Sequence, residues 1–249
     1  ELVRKVAQSD SFKGMTASQV LLSITQNPRF WVDVPVIYLA KKDNKKIREA
    51  LSLPDTTKYA RLSDFFDNGV TYKIRKQVDE AAKSRIQNKF QTDLVKLDKR
   101  VSLLYSAIGG GIMRIYPIPN EDNNKWVSHP EISEAGFTGD HANMLPRLLP
   151  TYLQTLSSAK ETGDYSKADN VLEGIKNFQR KFGSEVIPSK DKIDLEIAYN
   201  KMSIFSNLAF YYGLVGFILI ILVITQIFLN NKLLKIKLKA RVLTSCYLI

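Results

Sequence analysis

Few residues in this chain are of the types that do chemistry. His129 and His141 are its only histidines, twelve apart in a stretch without clear periodicity. Imidazole is a frequent axial ligand of haem iron and the side chain that titrates near neutral pH. A histidine in a loop is more often a hydrogen-bonded surface residue. The pair are therefore the only cofactor-binding candidates, and no catalytic residue is assigned. The single cysteine, Cys246, lies near the end of the chain. Residues 1–200 thus offer no internal disulfide, Cys-type zinc site or thiol nucleophile. There is no GxSxG, P-loop or GxGxxG, and no His/Cys cluster at metal-ligand spacing, so no metal site is expected. Gly109-Gly110-Gly111 precedes a strand-like run rather than a helix, and reads as a helix terminator rather than a phosphate cradle.

The elements that would position these residues are dominated by one segment. The 22 residues Leu208 to Leu229 carry no charged side chain. A bilayer core about 30 Å thick needs about 20 apolar residues in a helix, so 208–229 is expected to span a membrane. Ala209, Gly213 and Gly216 fall on one face at i, i+4 and i+7. Such a small-residue face lets helix backbones approach closely in lipid, so these three are expected to pack on other membrane helices. Phe205, Phe210, Tyr211 and Tyr212 read as an aromatic belt.

Upstream, the pattern predicts a mainly α fold with a few short strands (α+β). Residues 15–27 read as a helix with Val20, Leu21 and Ile24 on one face, ended by Pro28. Residues 31–39 are apolar and β-branched and predict a strand. Lys45–Leu51 and Leu62–Phe66 read as short helices, and Asn68-Gly69 as a turn. From about 72 to 108, apolar or small residues recur at steps of three or four: Ile74, Val78, Ala82, Ile86, Phe90, Leu94, Leu97, Val101, Leu104 and Ile108. That is the amphipathic helix period, and it predicts one long helix with a charged outer face. A strand over 112–118, an irregular stretch over 126–144, and helices over 145–158 and 165–182 follow. The last carries an apolar stripe of Ala168, Val171, Leu172, Ile175 and Phe178. A connector at 187–190 leads to a helix entering the span. The expected organisation is an outer subdomain (1–144), a helical hairpin and connector helix (145–207), the span (208–229), a basic loop (230–241) and the start of a second span (242–249).

The charge distribution bears on partners. The chain carries a net +11. More than half of that excess lies in 201–249, around the span, where it sets topology and meets anionic headgroups. A basic pI is therefore poor support for nucleic acid as a partner. Residues 230–241 hold five Lys/Arg and no acid, against three Lys in 190–207 accompanied by three acids. Basic residues favour the cytoplasmic side, so 1–200 are expected outside. The chain opens on Glu1 and closes within an apolar run, and reads as a piece of a longer polytopic protein.

Several short pieces occur in a familiar order. Pro188-Ser189-Lys190, Lys192-Ile193, Glu196-Ile197, Tyr199-Asn200-Lys201 and Ile204-Phe205 run directly into the membrane helix. Before them come Asn27-Pro28, Trp31 and Pro35, then Tyr72-Lys73-Ile74 and Ala81-Ala82. Lys96-Leu97-Asp98-Lys99-Arg100-Val101, Ile115-Tyr116-Pro117 and Trp126 complete the set. Together they resemble the fused ResB–CcsA (CcsBA) proteins of system II cytochrome c biogenesis, those of Bacteroidetes and epsilonproteobacteria above all. The resemblance implies a bacterial inner-membrane protein with residues 1–200 periplasmic. It implies haem as cofactor of the parent protein, upstream ResB and downstream CcsA helices as neighbours, and apocytochrome c as partner. Such synthases export haem and join its vinyl groups by thioether bonds to the thiols of CxxCH. Here the sequence departs from the pattern. Its tryptophans are Trp31 and Trp126, neither in a tryptophan-rich WWD run, and neither histidine sits in a matching motif. The resemblance thus implies scaffold and docking for this stretch, without haem ligation. An extracytoplasmic sensor or binding domain of a membrane receptor is the alternative, and a haem-binding enzyme domain using His129 or His141 is a third reading.

Overall fold

The structure, a computed structural model, describes residues 1–39, 45–202 and 204–246, with side chains except at 206 and 230–246. It divides into two units, Glu1–Ile187 and Pro188–Ile249. The first is helices with two-stranded antiparallel sheets, in keeping with the α+β expectation.

Helix α1 (Leu2–Ala7) leads into a hairpin of β1 (Ser11–Phe12) and β2 (Met15–Thr16). Thr16 then caps α2 (Ala17–Gln26): its hydroxyl accepts from the Gln19 N–H, and the Gln19 side chain accepts from the Thr16 N–H. This reciprocal box satisfies two donors that a helix start leaves unpaired. Val20 and Ile24 are buried as expected. Pro28 ends α2 and opens α3 (Pro28–Val32). Residues 31–39 are therefore not one strand. Proline suits the first turn of a helix, so Trp31 sits on a short helix, and only β3 (Ile37–Tyr38) is extended. The fold gains from this, because Trp31 is fully buried and its indole N–H donates to Ser23 Oγ at 3.0 Å. After α4 (Lys45–Ala50), β4 (Tyr59–Ala60) pairs with β3. A 3-10 turn at Ser63–Phe65 precedes the hairpin of β5 (Phe66–Asp67) and β6 (Thr71–Tyr72), which turns at Asn68 and Gly69, both at positive φ.

The helix expected over 72–108 is two helices, α5 (Arg75–Lys83) and α6 (Lys89–Ile108), packed on each other. The three-and-four spacing continues through the break, so periodicity does not reveal it. Side chains make the corner. Asn88 and Gln91 form a capping box at the start of α6. Gln87 donates to the Ala81 carbonyl, and the Gln91 amide donates to Ser84 Oγ, each at 3.0 Å. Ile86 consequently lies in the corner, 88% exposed, and Ala81 is buried rather than Ala82. Along α6, Leu94, Leu97, Val101, Leu104 and Ala107 form the centre of a first apolar cluster with residues of α1, α2 and α3. The charged face of α6 is not only solvated. Asp98 accepts from the Tyr72 hydroxyl at 2.9 Å, and Arg100 donates to the Tyr38 carbonyl at 2.8 Å.

A second cluster begins beyond the glycine run, earlier than a boundary at 144. It contains Tyr116, Val127, Ile132, Leu145 and Phe178. Strands β7 (Arg114–Pro117) and β8 (Trp126–Ser128) form its hairpin. The stretch 126–144 is accordingly structured: after β8 comes a 3-10 turn at His129–Ser133, and α7 (Gly139–Thr162) starts before 145. Helix α7 carries Pro146 and Pro150 in its interior. Each lacks an N–H donor and weakens the ladder, but packing of α7 on α8 (Ser166–Gly183) holds the helix together. Ala168, Ile175 and Phe178 of the expected stripe are buried; Val171 and Leu172 are half-buried. Gln26 of α2 donates to Ser157 of α7, tying the two clusters.

In the second unit, α9 (Lys190–Met202) precedes α10 (Ile204–Cys246). Within α10, Asn207–Leu229 is 23 residues long and apolar enough to cross a membrane, and its side chains are exposed. So large an apolar surface is untenable in water and suits lipid. The loop expected at 230–241 is instead a continuation of this helix, which runs to Cys246. No Gly or Pro interrupts 230–246, and its Lys, Leu and Ala residues favour helix. Positions 247–249 of the expected second span lie outside the described residues.

Candidate functional site

His129 is held by the hairpin and the turn that follows it. Glu131 reaches back and accepts both the Ser128 N–H, at 2.7 Å, and the Ser128 hydroxyl, at 2.6 Å. Ser128 is fully buried, so these bonds fix the chain on either side of His129. They are also the main reason the Glu131 carboxyl lies below the usual carboxylate range; Arg114, 3.8 Å away, adds to it. The Ser-x-x-Glu spacing of 128–131 is a legible helix-start signature, unused when 126–144 is read as irregular.

His129 faces an apolar cleft of about 260 Å³ between the two clusters of the first unit. Ile108, Gly109 and Gly110 from the end of α6, Met113, and Leu149, Pro150 and Leu153 of α7 line it with Thr25 of α2. The imidazole Nδ1 is buried with no hydrogen-bond partner among the described residues. Burial lowers the His129 pKa from its ordinary value, so the ring is neutral at pH 7. Tyr116, its aromatic neighbour at 6.4 Å, has its hydroxyl pushed up to about 12 by burial and stays protonated. The glycine run terminates α6: Gly109 and Gly111 donate back to the Tyr105 and Ser106 carbonyls, at 2.9 Å each. Gly110 has φ 76°, and a Cβ there would press on Pro130 at 3.3 Å.

His141 is elsewhere. It stands in the first turn of α7, edge-on to Phe178 and Phe182 of α8 at 5.4 and 5.2 Å. It does not line the His129 cleft. The fold thus places the two histidines in separate settings, one at a cleft wall and one inside an aromatic cluster. Ala209, Gly213 and Gly216 lie on α10, where added Cβ atoms at both glycines would meet open space.

These settings limit the chemistry. Among the described residues the cleft offers one neutral imidazole, with no carboxylate to orient it and only Thr25 as a hydroxyl. That is not a nucleophile–base–orienter set. Its volume lies a little below the roughly 300–1,000 Å³ of ordinary small-molecule pockets. The His141 cluster is filled by phenylalanine rings. Among the described residues no group of three or more His, Cys, Asp or Glu side chains could hold a metal ion.

No family model matches the chain. The chain is similar to Protein NrfI of Wolinella succinogenes. The identity is 30% over 224 residues, which make up 89% of this chain and 24% of NrfI. The chain therefore spans about a quarter of the length of NrfI. Because the similar stretch is longer than the first unit, the likeness to NrfI extends into the unit that holds the apolar helix.

Proposed function

We propose that this chain serves cytochrome c biogenesis, as the extracytoplasmic scaffold and docking part of a system II synthase that leads into a membrane helix. The observation that carries the reading is the similarity to NrfI over 89% of the chain. The ordered pieces from Asn27-Pro28 to Ile204-Phe205 that resemble fused ResB–CcsA proteins support it. In this reading the reaction belongs to the whole synthase: each CxxCH thiol adds S–H across a haem vinyl group, forming one C–S and one C–H bond without net oxidation. Residues 1–200 lie on the periplasmic side of the inner membrane and meet apocytochrome c, and the haem-holding residues lie in other parts of the synthase. Ala209, Gly213 and Gly216 pack against neighbouring membrane helices. Disruption of the gene in its host tests the proposal. Haem staining of c-type cytochromes on denaturing gels should disappear while the apocytochromes are still synthesised; unchanged covalent haem overturns it.

A further inference from the structure

The two apolar clusters of the first unit are separate cores, one within residues 1–112 and one within 115–182. Among the described residues no sheet spans the two lobes. The closest helix pairing is α5 on α6 in the first lobe and α7 on α8 in the second. Between the lobes lie the His129 cleft and the exposed hydrogen bond from Gln26 to Ser157. The chain crosses from one lobe to the other at Gly109-Gly110-Gly111. Ending α6 accounts for one of these glycines: Gly110 stands at φ 76°, where glycine is favoured. Gly109 has φ −72°, which any residue adopts, and a Cβ there would stand at 3.4 Å from the Tyr105 carbonyl, an ordinary contact. A Cβ on Gly111 would meet only Ser106, whose hydroxyl is nearest at 3.3 Å and free to turn aside. The run thus holds more backbone freedom than a helix stop requires, at the covalent crossing between two cores.

We infer that residues 109–111 are a hinge on which the second lobe swings against the first, closing and opening the His129 cleft. Hinges are a few residues at the ends of elements that absorb the change in φ and ψ, and glycine absorbs it with the least steric resistance. The cleft supplies the drive. Ile108 and Met113 line it beside the hinge, and Leu149 and Leu153 line it from α7. Closing about 260 Å³ of apolar space takes these side chains out of water. The Gln26–Ser157 bond is exposed, so water competes for both partners and the latch is weak. Closure also carries His129 toward the wall of α2 that bears Thr25. The hinge goes beyond the docking role proposed above and holds or fails separately from it.

The test uses the whole chain in detergent, in a Cys246→Ser background, with pairs of spin labels measured by double electron–electron resonance. Ile86→Cys with Lys167→Cys spans the lobes, and Ile86→Cys with Ser102→Cys is the control within one lobe; all three positions are exposed. The cross-lobe distances should form two populations, or one distribution clearly broader than the control. Gly109→Ala/Gly111→Ala should narrow it and leave the control unchanged. Gln26→Ala should shift weight toward the open population. A cross-lobe distribution as narrow as the control overturns the hinge, and so does a broad one that the glycine substitutions leave as it was. Should the glycine variant fail to fold, seen as a broadened control, Gln26→Ala decides, and no shift there overturns the hinge.

Discussion

His129 is the residue at which sequence chemistry and structure meet, and burial sets its behaviour. Its pKa lies below the ordinary value because the cleft removes water from the charged form. The unfolded chain, near pKa 6.5, then binds a proton that the folded chain refuses. Stability is full above about pH 6.5 and declines as pH falls through the window below it. The urea midpoint should therefore drop between about pH 7 and pH 5.5, and His129→Gln should flatten that part of the profile. An unchanged slope would remove His129 from the cause. Trp126 and Gly183 offer a steric test. A Cβ on Gly183 would strike the Trp126 indole ring. Gly183→Ala should destabilise by about 1–3 kcal/mol and alter Trp126 fluorescence, whereas a silent substitution would mean the ring is not seated on α8.

At the scale of elements, the corner between α5 and α6 is the feature with the clearest local cause. Asn88→Ala removes the cap that starts α6 and should cost about 0.5–2 kcal/mol, read as a lower melting temperature and faster hydrogen exchange in the first turn of α6. Were one helix to run through this corner, alanine would stabilise it instead, so the sign of the change decides. The brace from β6 to α6 is a second test. Burial, and then the charge and hydrogen bond of Asp98, push the Tyr72 hydroxyl well above its ordinary value. It remains a donor throughout the physiological range. Tyr72→Phe should cost about 1 kcal/mol, and Asp98→Asn in the same background should add little if the two act as one pair.

For the whole molecule the decisive quantity is topology. Residues 230–241 continue α10 as a basic helix, and the positive-inside tendency does not depend on their forming a loop. In a Cys246→Ser background, Ser184→Cys should react with a membrane-impermeant maleimide on intact cells. Lys235→Cys should react only after the cells are broken. The opposite pattern would place residues 1–187 in the cytoplasm and remove the docking role proposed for them.

What could be read from sequence follows from how local each signal is. The apolar run at 208–229, the Asn27-Pro28 stop, the Asn68-Gly69 turn and the glycine run at 109–111 rest on the residues themselves: their hydropathy, their missing N–H, their tolerance of positive φ. Those signals placed the apolar helix and several turns and helix ends, and the order of short pieces that resembles one protein family led to the proposed role. The break at 84–88 was less visible, because apolar spacing continues across it while two amides turn the chain. Trp31 looked like strand because β-branched neighbours surround it, and its burial against Ser23 favours helix. Only tertiary structure decided that Asp98 and Arg100 brace the fold, and that His129 faces a cleft and His141 an aromatic cluster. Those facts depend on which distant segments share space, and spacing along one chain does not encode that.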